Sequence, residues 1–313
     1  MDNPPEFKRA FIERYEKLTD FKEFKKYSLT YLRRSIRVNT LKITVKELVE
    51  RLEKDWILTP VPWCKEGFWI LHKGVGDAHR RDVGNLVEHA LGYFYLQEAT
   101  SMIPPVVLDP QPGETILDMC ASPGSKTTQI GQYMKNAGLL IANDITYQRM
   151  QALGINVQRT GLTNTIISMR DGWRFKGFQF DRVLCDAPCS GTGTIRKSFK
   201  TLRMWNPNMV KKLSGIQKQL LKTAFANLKV GGMLVYSTCT MEPQENEAVV
   251  SHLLAECPDA KVLPITLDIK RGKCLTSFEG VEYHKDVSKC LRINPQDNDT
   301  GGFFVCKITK VKK

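Results

Sequence analysis

The 313-residue sequence has no apolar run approaching the ~18 residues that a membrane-spanning helix needs. Its N-terminus, MDNPPEFKRAFIERYEK, has no apolar core of the kind a secretion signal carries. A cytoplasmic protein without a membrane partner is therefore expected. No C-x-x-C pair occurs among the nine cysteines. The five histidines (His72, His79, His89, His252 and His284) do not fall beside cysteines at ligand spacing, so no metal is expected. Nine is an odd number, and a chain that is 42% hydrophobic can build its own core, so free thiols rather than a disulfide framework are expected. No internal repeat or low-complexity segment is visible, and nothing suggests more than a monomer.

Acidic residues are missing where basic ones are dense. None lies between Asp186 and Glu242, a stretch that holds Arg196, Lys197, Lys200, Arg203, Lys211, Lys212, Lys218, Lys222 and Lys229. None lies between Asp144 and Asp171, where Arg149, Arg159 and Arg170 fall. Ordinary soluble surfaces mix the two signs. With a formal charge of +13, these stretches point to a polyanionic partner, a nucleic acid.

The chain divides near residue 95. Residues 1–95 read as a small α+β module: a polar amphipathic helix over the first ~25 residues, a strand at 35–39, a helix carrying Val45, Leu48, Val49 and Leu52, and two short strands at 57–62 and 67–71. Residues 96–313 alternate strand and helix. Near-continuous apolar runs at 115–119, 139–142, 165–169, 180–185 and 233–236 predict five strands buried on both faces. A long helix presents Met209, Leu213, Ile216, Leu220, Phe225 and Leu228, and a last edge strand follows at 301–308. The expected fold class is α/β, a doubly wound and mostly parallel Rossmann-like sheet.

In such sheets ligands bind beyond the carboxyl ends of the strands. Five segments land there: Cys120-Ala121-Ser122-Pro123-Gly124-Ser125-Lys126, Asn143-Asp144, Arg170-Asp171, Asp186-Ala-Pro-Cys189-Ser-Gly, and Ser237-Thr-Cys239-Thr. The first is a small, turn-forming loop that admits a ligand to the backbone, and the helix after it offers free N–H groups. It is not a phosphate loop, because Gly and Lys are not adjacent in it. Asp144 can accept hydrogen bonds from both ribose hydroxyls of a nucleoside. Cys185, inside a strand, reads as a buried small hydrophobe. Cys189 and Cys239 sit on loops near basic residues, where a thiol can be activated as a nucleophile. The residues alone do not say which of the two attacks.

These segments together resemble the Nol/Nop/Sun family of RNA cytosine-5 methyltransferases. Arg37-Val-Asn-Thr-Leu-Lys42, Gln97-Glu-Ala-Thr-Ser-Met102 and Asp-Thr-Gly-Gly-Phe-Phe304 are similar to further motifs of that family, in its order, over roughly residues 35–308. The compact form is similar to archaeal tRNA methyltransferases of the family. The resemblance implies S-adenosyl-L-methionine as methyl donor and methylation of carbon 5 of cytosine, in tRNA or alternatively in ribosomal RNA. It implies Cys239 as nucleophile and Cys189 as the residue that assists release of the product. It implies a cofactor site lined by residues 120–126, Asp144, Asp171 and Asp186, with Arg149 close by. Carbon 5 of cytosine is a poor nucleophile until a thiolate adds to carbon 6 and turns the ring into an enamine. Asp186, three residues before Cys189, is placed to steady the charge near ring nitrogen 3. DNA cytosine methyltransferases use the Pro-Cys cysteine instead, so the order of the two roles rests on the resemblance.

Two other readings compete. An amino-group methyltransferase would place Asn/Asp-Pro-Pro-Tyr/Phe after the fourth strand, where this chain has Asp-Ala-Pro-Cys. A non-catalytic RNA-binding protein would have lost some strand-end motifs, and all five are present. The N-terminal module, through Arg33, Arg34, Arg37 and Lys42, is expected to share RNA binding with the acid-free stretches.

Overall fold

The computed structural model describes residues 6–74 and 82–312. His79, counted above among possible ligands, lies outside them. The chain opens with two helices, α1 (Arg9–Tyr15) and α2 (Phe21–Leu29), rather than the single expected helix. The break falls at Asp20, whose carboxylate accepts the Glu23 N–H at 3.1 Å and so starts a new helix. Next come β1 (Ser35–Val38) and α3 (Val45–Leu52), the latter begun by a capping box between Thr44 and Glu47. Strands β2 (Trp56–Val61) and β3 (Cys64–His72) come after it, then the one-turn α4 (Val87–Ala90) and β4 (Phe94–Leu96). The four strands pair antiparallel in the order β2-β3-β1-β4. Gly67 does not start a strand as expected. It lies inside β3, opposite Arg37, and the turn at Pro62-Trp63 alone reverses the chain.

One face of this sheet buries Ile36, Val38, Trp56, Phe68 and Ile70 against Leu48 and Leu52 of α3. The first two helices do not join that core. Phe11, Tyr15 and Phe24 pack instead on Ile195, Leu202, Trp205 and Met241 of the later chain.

The second part runs α5 (Ile103–Leu108), β5 (Thr115–Asp118), α6 (Ser125–Tyr133), β6 (Leu139–Asp144), α7 (Tyr147–Thr160), β7 (Thr165–Met169) and β8 (Phe180–Asp186). It continues with α8 (Lys200–Met204), α9 (Pro207–Ala226), β9 (Leu228–Thr238), α10 (Glu247–Glu256) and β10 (Ala260–Leu263). It closes with the hairpin of β11 (Ser277–Phe278) and β12 (Val281–Glu282), then β13 (Leu291–Ile293), α11 (Pro295–Asn298) and β14 (Phe303–Lys310). The main sheet has the order β10-β14-β9-β8-β5-β6-β7, with β13 also paired to β14. Strands β7, β6, β5, β8 and β9 are parallel and β14 is antiparallel to β9, the Rossmann-like arrangement expected. The last strand is not at the edge, however. It is flanked by β9 on one side and by β10 and β13 on the other, which accounts for its unbroken apolar run Phe303 to Cys306.

Strand order reverses between β5 and β8, so the crevice at their carboxyl ends lies between Asp118 and Asp186. The buried face of α9 is Val210, Ser214, Gln217, Leu220, Leu221, Ala224 and Phe225, rotated from the expected stripe. Two polar residues on it explain the offset. Ser214 Oγ donates to the Gln244 carbonyl at 2.7 Å, and Gln217 Nε2 donates to the Pro188 carbonyl and to Glu245, both at 2.8 Å. The helix is turned to hold the loops beside the crevice, leaving Met209, Leu213 and Ile216 only partly buried.

Candidate active site

The ends of β8 and β9 are in register, Asp186 opposite Ser237, so the loops beyond them leave the sheet side by side. Those loops carry the two cysteines. The sulfurs of Cys189 and Cys239 are 3.3 Å apart. Hydroxyls stitch the loops together: Thr240 Oγ1 lies 2.7 Å from Ser190 Oγ and 2.9 Å from Thr192 Oγ1, and Thr192 Oγ1 accepts the Met241 N–H at 2.9 Å. Gly193 N–H donates to the Cys239 carbonyl at 3.0 Å and Gly302 N–H to the Gly193 carbonyl at 2.9 Å. The Cys239 side is braced from the N-terminal helices. Glu242 accepts from Arg14 Nε at 2.7 Å, Trp205 Nε1 at 2.8 Å and Tyr15 Oη at 3.2 Å.

The two thiols are not equivalent. A hydrogen bond from Cys189 lowers Cys239 below the ordinary thiol value, against burial, with the Lys126 and Lys197 cations helping. The same bond, together with burial and the nearby Glu245 and Asp186 carboxylates, raises Cys189. The two shifts run in opposite directions, so Cys239 is the more acidic thiol of the pair.

A cavity of about 320 Å³ opens onto Cys239, lined also by Lys126, Asp186, Lys197, Tyr95 and Phe303. Lys126 Nζ donates to Asp186 Oδ2 at 2.7 Å, and Ser237 Oγ donates to Asp186 Oδ1 at 2.6 Å. Burial works against the Lys126 charge, but Asp186 more than offsets it and the ammonium stays above the ordinary lysine value. Lys126 thus faces the cysteines rather than the loop that carries it. Lys197, Ser237 and Phe303 were not singled out from sequence as site residues. Lys197 stood among the acid-free basic residues and the other two lay within recognised segments, which was the signal available.

On the other side of the crevice, the ends of β5, β6 and β7 are laced by Asn143. Its carbonyl accepts the Ala121 N–H at 2.8 Å, its Nδ2 donates to the carbonyls of Met119 and Arg170 at 3.1 and 2.9 Å, and its Oδ1 accepts from Ser168 Oγ at 2.9 Å. The buried Asp144 carboxylate accepts the Ser122 N–H at 2.9 Å and the Ile145 N–H at 2.8 Å, and pairs with Arg149 Nε at 3.2 Å. Gly124 opens α6 with φ of 103°, and a Cβ there would lie 3.1 Å from Leu153, so the loop stays flat against α7. Cys120 is raised by burial and serves as packing. Asp171 comes just after β7, with its carboxylate on Arg174 at 3.1 Å. Asp118 Oδ2 accepts from Thr127 Oγ1 at 2.7 Å, while Oδ1, also buried, has no partner. Burial raises Asp118 to about 7. An unpartnered buried oxygen near the Asp144 carboxylate fits a nucleoside-type ligand such as S-adenosylmethionine.

One expectation about RNA contacts is corrected. Arg37 is fully buried, donating to the Ser125 carbonyl at 2.8 Å and Thr128 Oγ1 at 3.0 Å and bonding Gln97, so it ties β1 to α6 instead of meeting phosphate. Lys42 stays exposed while its Nζ donates to the carbonyls of Leu91 and Arg159 at 3.0 and 2.7 Å. Arg196 is held by Asp299 at 2.8 Å and by the Tyr31 carbonyl at 2.7 Å. Lys200, Arg203, Lys211 and Lys212 are exposed. None of the nine cysteines is disulfide-bonded. Among the described residues no group of three or more His, Cys, Asp or Glu could hold a metal, and no helix is long and apolar enough to cross a membrane.

Burial also pushes Glu245, which holds the Cys189 loop through Ser190 N–H at 2.9 Å, up to about 7. In the unfolded chain this carboxyl loses its proton near 4.5, while the folded protein keeps it until about 7. Folding stability must therefore fall as pH rises through that window and level off above it. Denaturant unfolding across the window is expected to show a shallower fall for Glu245→Gln, which keeps the acceptor but cannot titrate.

The comparisons agree with this geometry. The family description "16S rRNA methyltransferase RsmB/F" matches residues 105–309, and "N-terminal domain of 16S rRNA methyltransferase RsmF" matches residues 7–99. A tRNA (cytosine(49)-C(5))-methyltransferase of Pyrococcus abyssi is 48% identical over 99% of both chains. Ribosomal RNA small subunit methyltransferase F of Shewanella loihica is 42% identical over 92% of this chain, which spans 59% of that protein. The crystal structure of a methyltransferase homologue from Pyrococcus horikoshii superposes with a TM-score of 0.85 at 36% identity, covering 97% of this chain and 96% of the other. With its paired cysteines, its cofactor crevice and these matches over most of its length, the chain belongs to the RsmB/F, or Nol/Nop/Sun, family of RNA cytosine-5 methyltransferases.

Proposed function

We propose that this protein methylates carbon 5 of a cytosine in tRNA, using S-adenosylmethionine, through a covalent bond between Cys239 and carbon 6. It acts as a cytoplasmic monomer, with residues 1–95 an RNA-binding module and residues 96–313 the catalytic domain. The observation that carries the reading is the Cys189–Cys239 contact of 3.3 Å, with Cys239 opening onto the cavity that also holds Lys126 and Asp186.

Bound in the crevice at the carboxyl ends of β5 and β8, S-adenosylmethionine would supply an electrophilic methyl group. Asp144 is suited to its ribose, and residues 120–126 with Arg149, Asp171 and Asp186 line its site. The target cytosine leaves its stack to enter the cavity. The Cys239 thiolate adds to carbon 6, and the electron pair of the ring double bond moves toward nitrogen 3 and carbon 5. Lys126 and Asp186, held together at 2.7 Å, face the side where that charge develops. Once carbon 5 carries the methyl group, its proton goes to a base, the double bond re-forms and the carbon–sulfur bond breaks. Cys189 S–H donates to the departing Cys239 thiolate, which makes it a better leaving group.

Support for tRNA comes from the Pyrococcus abyssi relative, which matches over 99% of both chains. The ribosomal reading keeps the same chemistry and is favoured by the family descriptions. Methyl-labelled cofactor offered with separate unmodified tRNA and ribosomal RNA pools distinguishes them. Label in 5-methylcytidine from tRNA is expected, and label from ribosomal RNA alone would overturn the substrate. Transfer should weaken steeply with salt, because phosphate contacts release counterions.

Gly193 offers a second check. A Cβ there would lie 2.2 Å from the Gly302 carbonyl oxygen, forcing the Cys189 loop away from Cys239. Gly193→Ala is expected to lower kcat by about tenfold or more, since small misplacements of reacting groups are costly. Cofactor affinity, measured by equilibrium binding, should stay nearly unchanged.

A further inference from the structure

The small antiparallel sheet has a second face, and it is not polar. On that face Ile57 pairs with Leu71 across β2 and β3, and Thr59 with Trp69. Ile57 is 48% exposed and Leu71 50%. The outer face of such a sheet ordinarily alternates to polar residues. Here it forms the floor of a cleft of about 330 Å³ with Tyr31, Arg33 and Arg34 on its wall. The Arg33 guanidinium stacks over the Trp69 ring, 4.0 Å from its centre, so the outer plane of the guanidinium offers a flat stacking surface there. Arg33 is fixed there by Asp299 at 3.0 Å and the Asn298 carbonyl at 2.8 Å, and Arg34 Nε donates to Tyr31 Oη at 2.9 Å.

The cleft is continuous with the active site. A shallow groove of about 390 Å³ shares Tyr31, Arg33 and Arg34 with it. At its other end the groove shares Gln97, Glu98 and Lys197 with the cavity on Cys239. A surface that is cationic along a groove and aromatic-apolar at its end matches unpaired RNA, whose phosphates seek charge and whose splayed bases seek flat apolar surface. It does not match duplex RNA, which offers no base face.

We propose that the Ile57–Trp69–Leu71 cleft is a nucleobase subsite that takes an unpaired base flanking the target cytosine in the substrate RNA. This rests on the proposed RNA-methylating function and adds to it a second, stacked base whose position helps select the target. Burying that base uses apolar contact, so this part of the binding carries no counterion release.

The test uses the full chain and an unmodified tRNA transcript. Ile57→Ser combined with Leu71→Ser changes two exposed side chains without adding charge. The double variant is expected to raise KM for the transcript by about tenfold, the order of one stacked base. Its kcat and the slope of log KM against log salt should be unchanged. Trp69→Phe keeps a stacking ring but removes the indole, so it should retain KM and abolish most of the tryptophan fluorescence quenching that the transcript causes. An unaltered KM in the double variant overturns the proposal, as does quenching that persists in Trp69→Phe. A wild-type dimer that the double substitution dissolves would also overturn it, by making the face a self-association surface. Failure of the proposed function is seen separately, as wild-type protein that transfers no label to carbon 5 of cytosine in either RNA pool.

Discussion

Replacing Cys239 by alanine is expected to reduce methyl transfer by at least ~10³-fold, because no other group near the cavity can make the carbon 6 bond. The neighbouring thiol cannot substitute. Its hydrogen bond to Cys239, burial and the adjacent Glu245 and Asp186 carboxylates all raise Cys189, and burial and the carboxylates persist in the variant. Cofactor binding should persist, since the Asp144 side of the crevice is built on β5 and β6 and shares no hydrogen bond with the Cys239 loop. Equilibrium cofactor binding and single-turnover transfer, measured on one preparation, separate the two effects. Appreciable turnover in Cys239→Ala would remove the residue from the nucleophile role.

Replacing Cys189 produces a different defect. If Cys189 works by donating to the leaving thiolate, Cys189→Ala should still attack and methylate but should release slowly. A protein–RNA complex that survives denaturation is then expected to accumulate, and it should vanish in the Cys189→Ala, Cys239→Ala double variant. Serine keeps an O–H donor at that position, so Cys189→Ser should release faster than the alanine variant. Equal trapping by alanine and serine would count against a hydrogen-bonding role, and no trapping by either would count against any role in release.

Much of this was legible in the sequence because strands buried on both faces are written as apolar runs, and an α/β sheet gathers the residues just past those runs on one rim. That placed Asp144, Asp186, Cys189 and Cys239 correctly at strand ends. Periodicity misplaced the buried face of α9, because two of its core positions are Ser214 and Gln217, which hold loops rather than fill space. Charge counting misassigned Arg37 to the RNA surface, since burial of a guanidinium among carbonyl and amide oxygens leaves no trace in composition. The asymmetry of the two thiols was also hidden. It depends first on the hydrogen bond between the two sulfurs and then on Lys126 and Lys197 acting on Cys239 and Glu245 on Cys189, residues far apart in the chain.

The central claim is a bond between Cys239 and carbon 6 of the target cytosine. Release requires that the proton on carbon 5 depart, so a substrate RNA carrying fluorine at that carbon should be methylated and then held, because fluorine cannot leave as a cation. Incubating wild-type protein with S-adenosylmethionine and such an RNA, then digesting and sequencing the trapped complex by mass spectrometry, reads the attachment point directly. The account predicts a methylated 5-fluorocytidine on the peptide containing Ser237-Thr238-Cys239-Thr240. The same adduct on the peptide containing Cys189, or none at all with active protein, would contradict it.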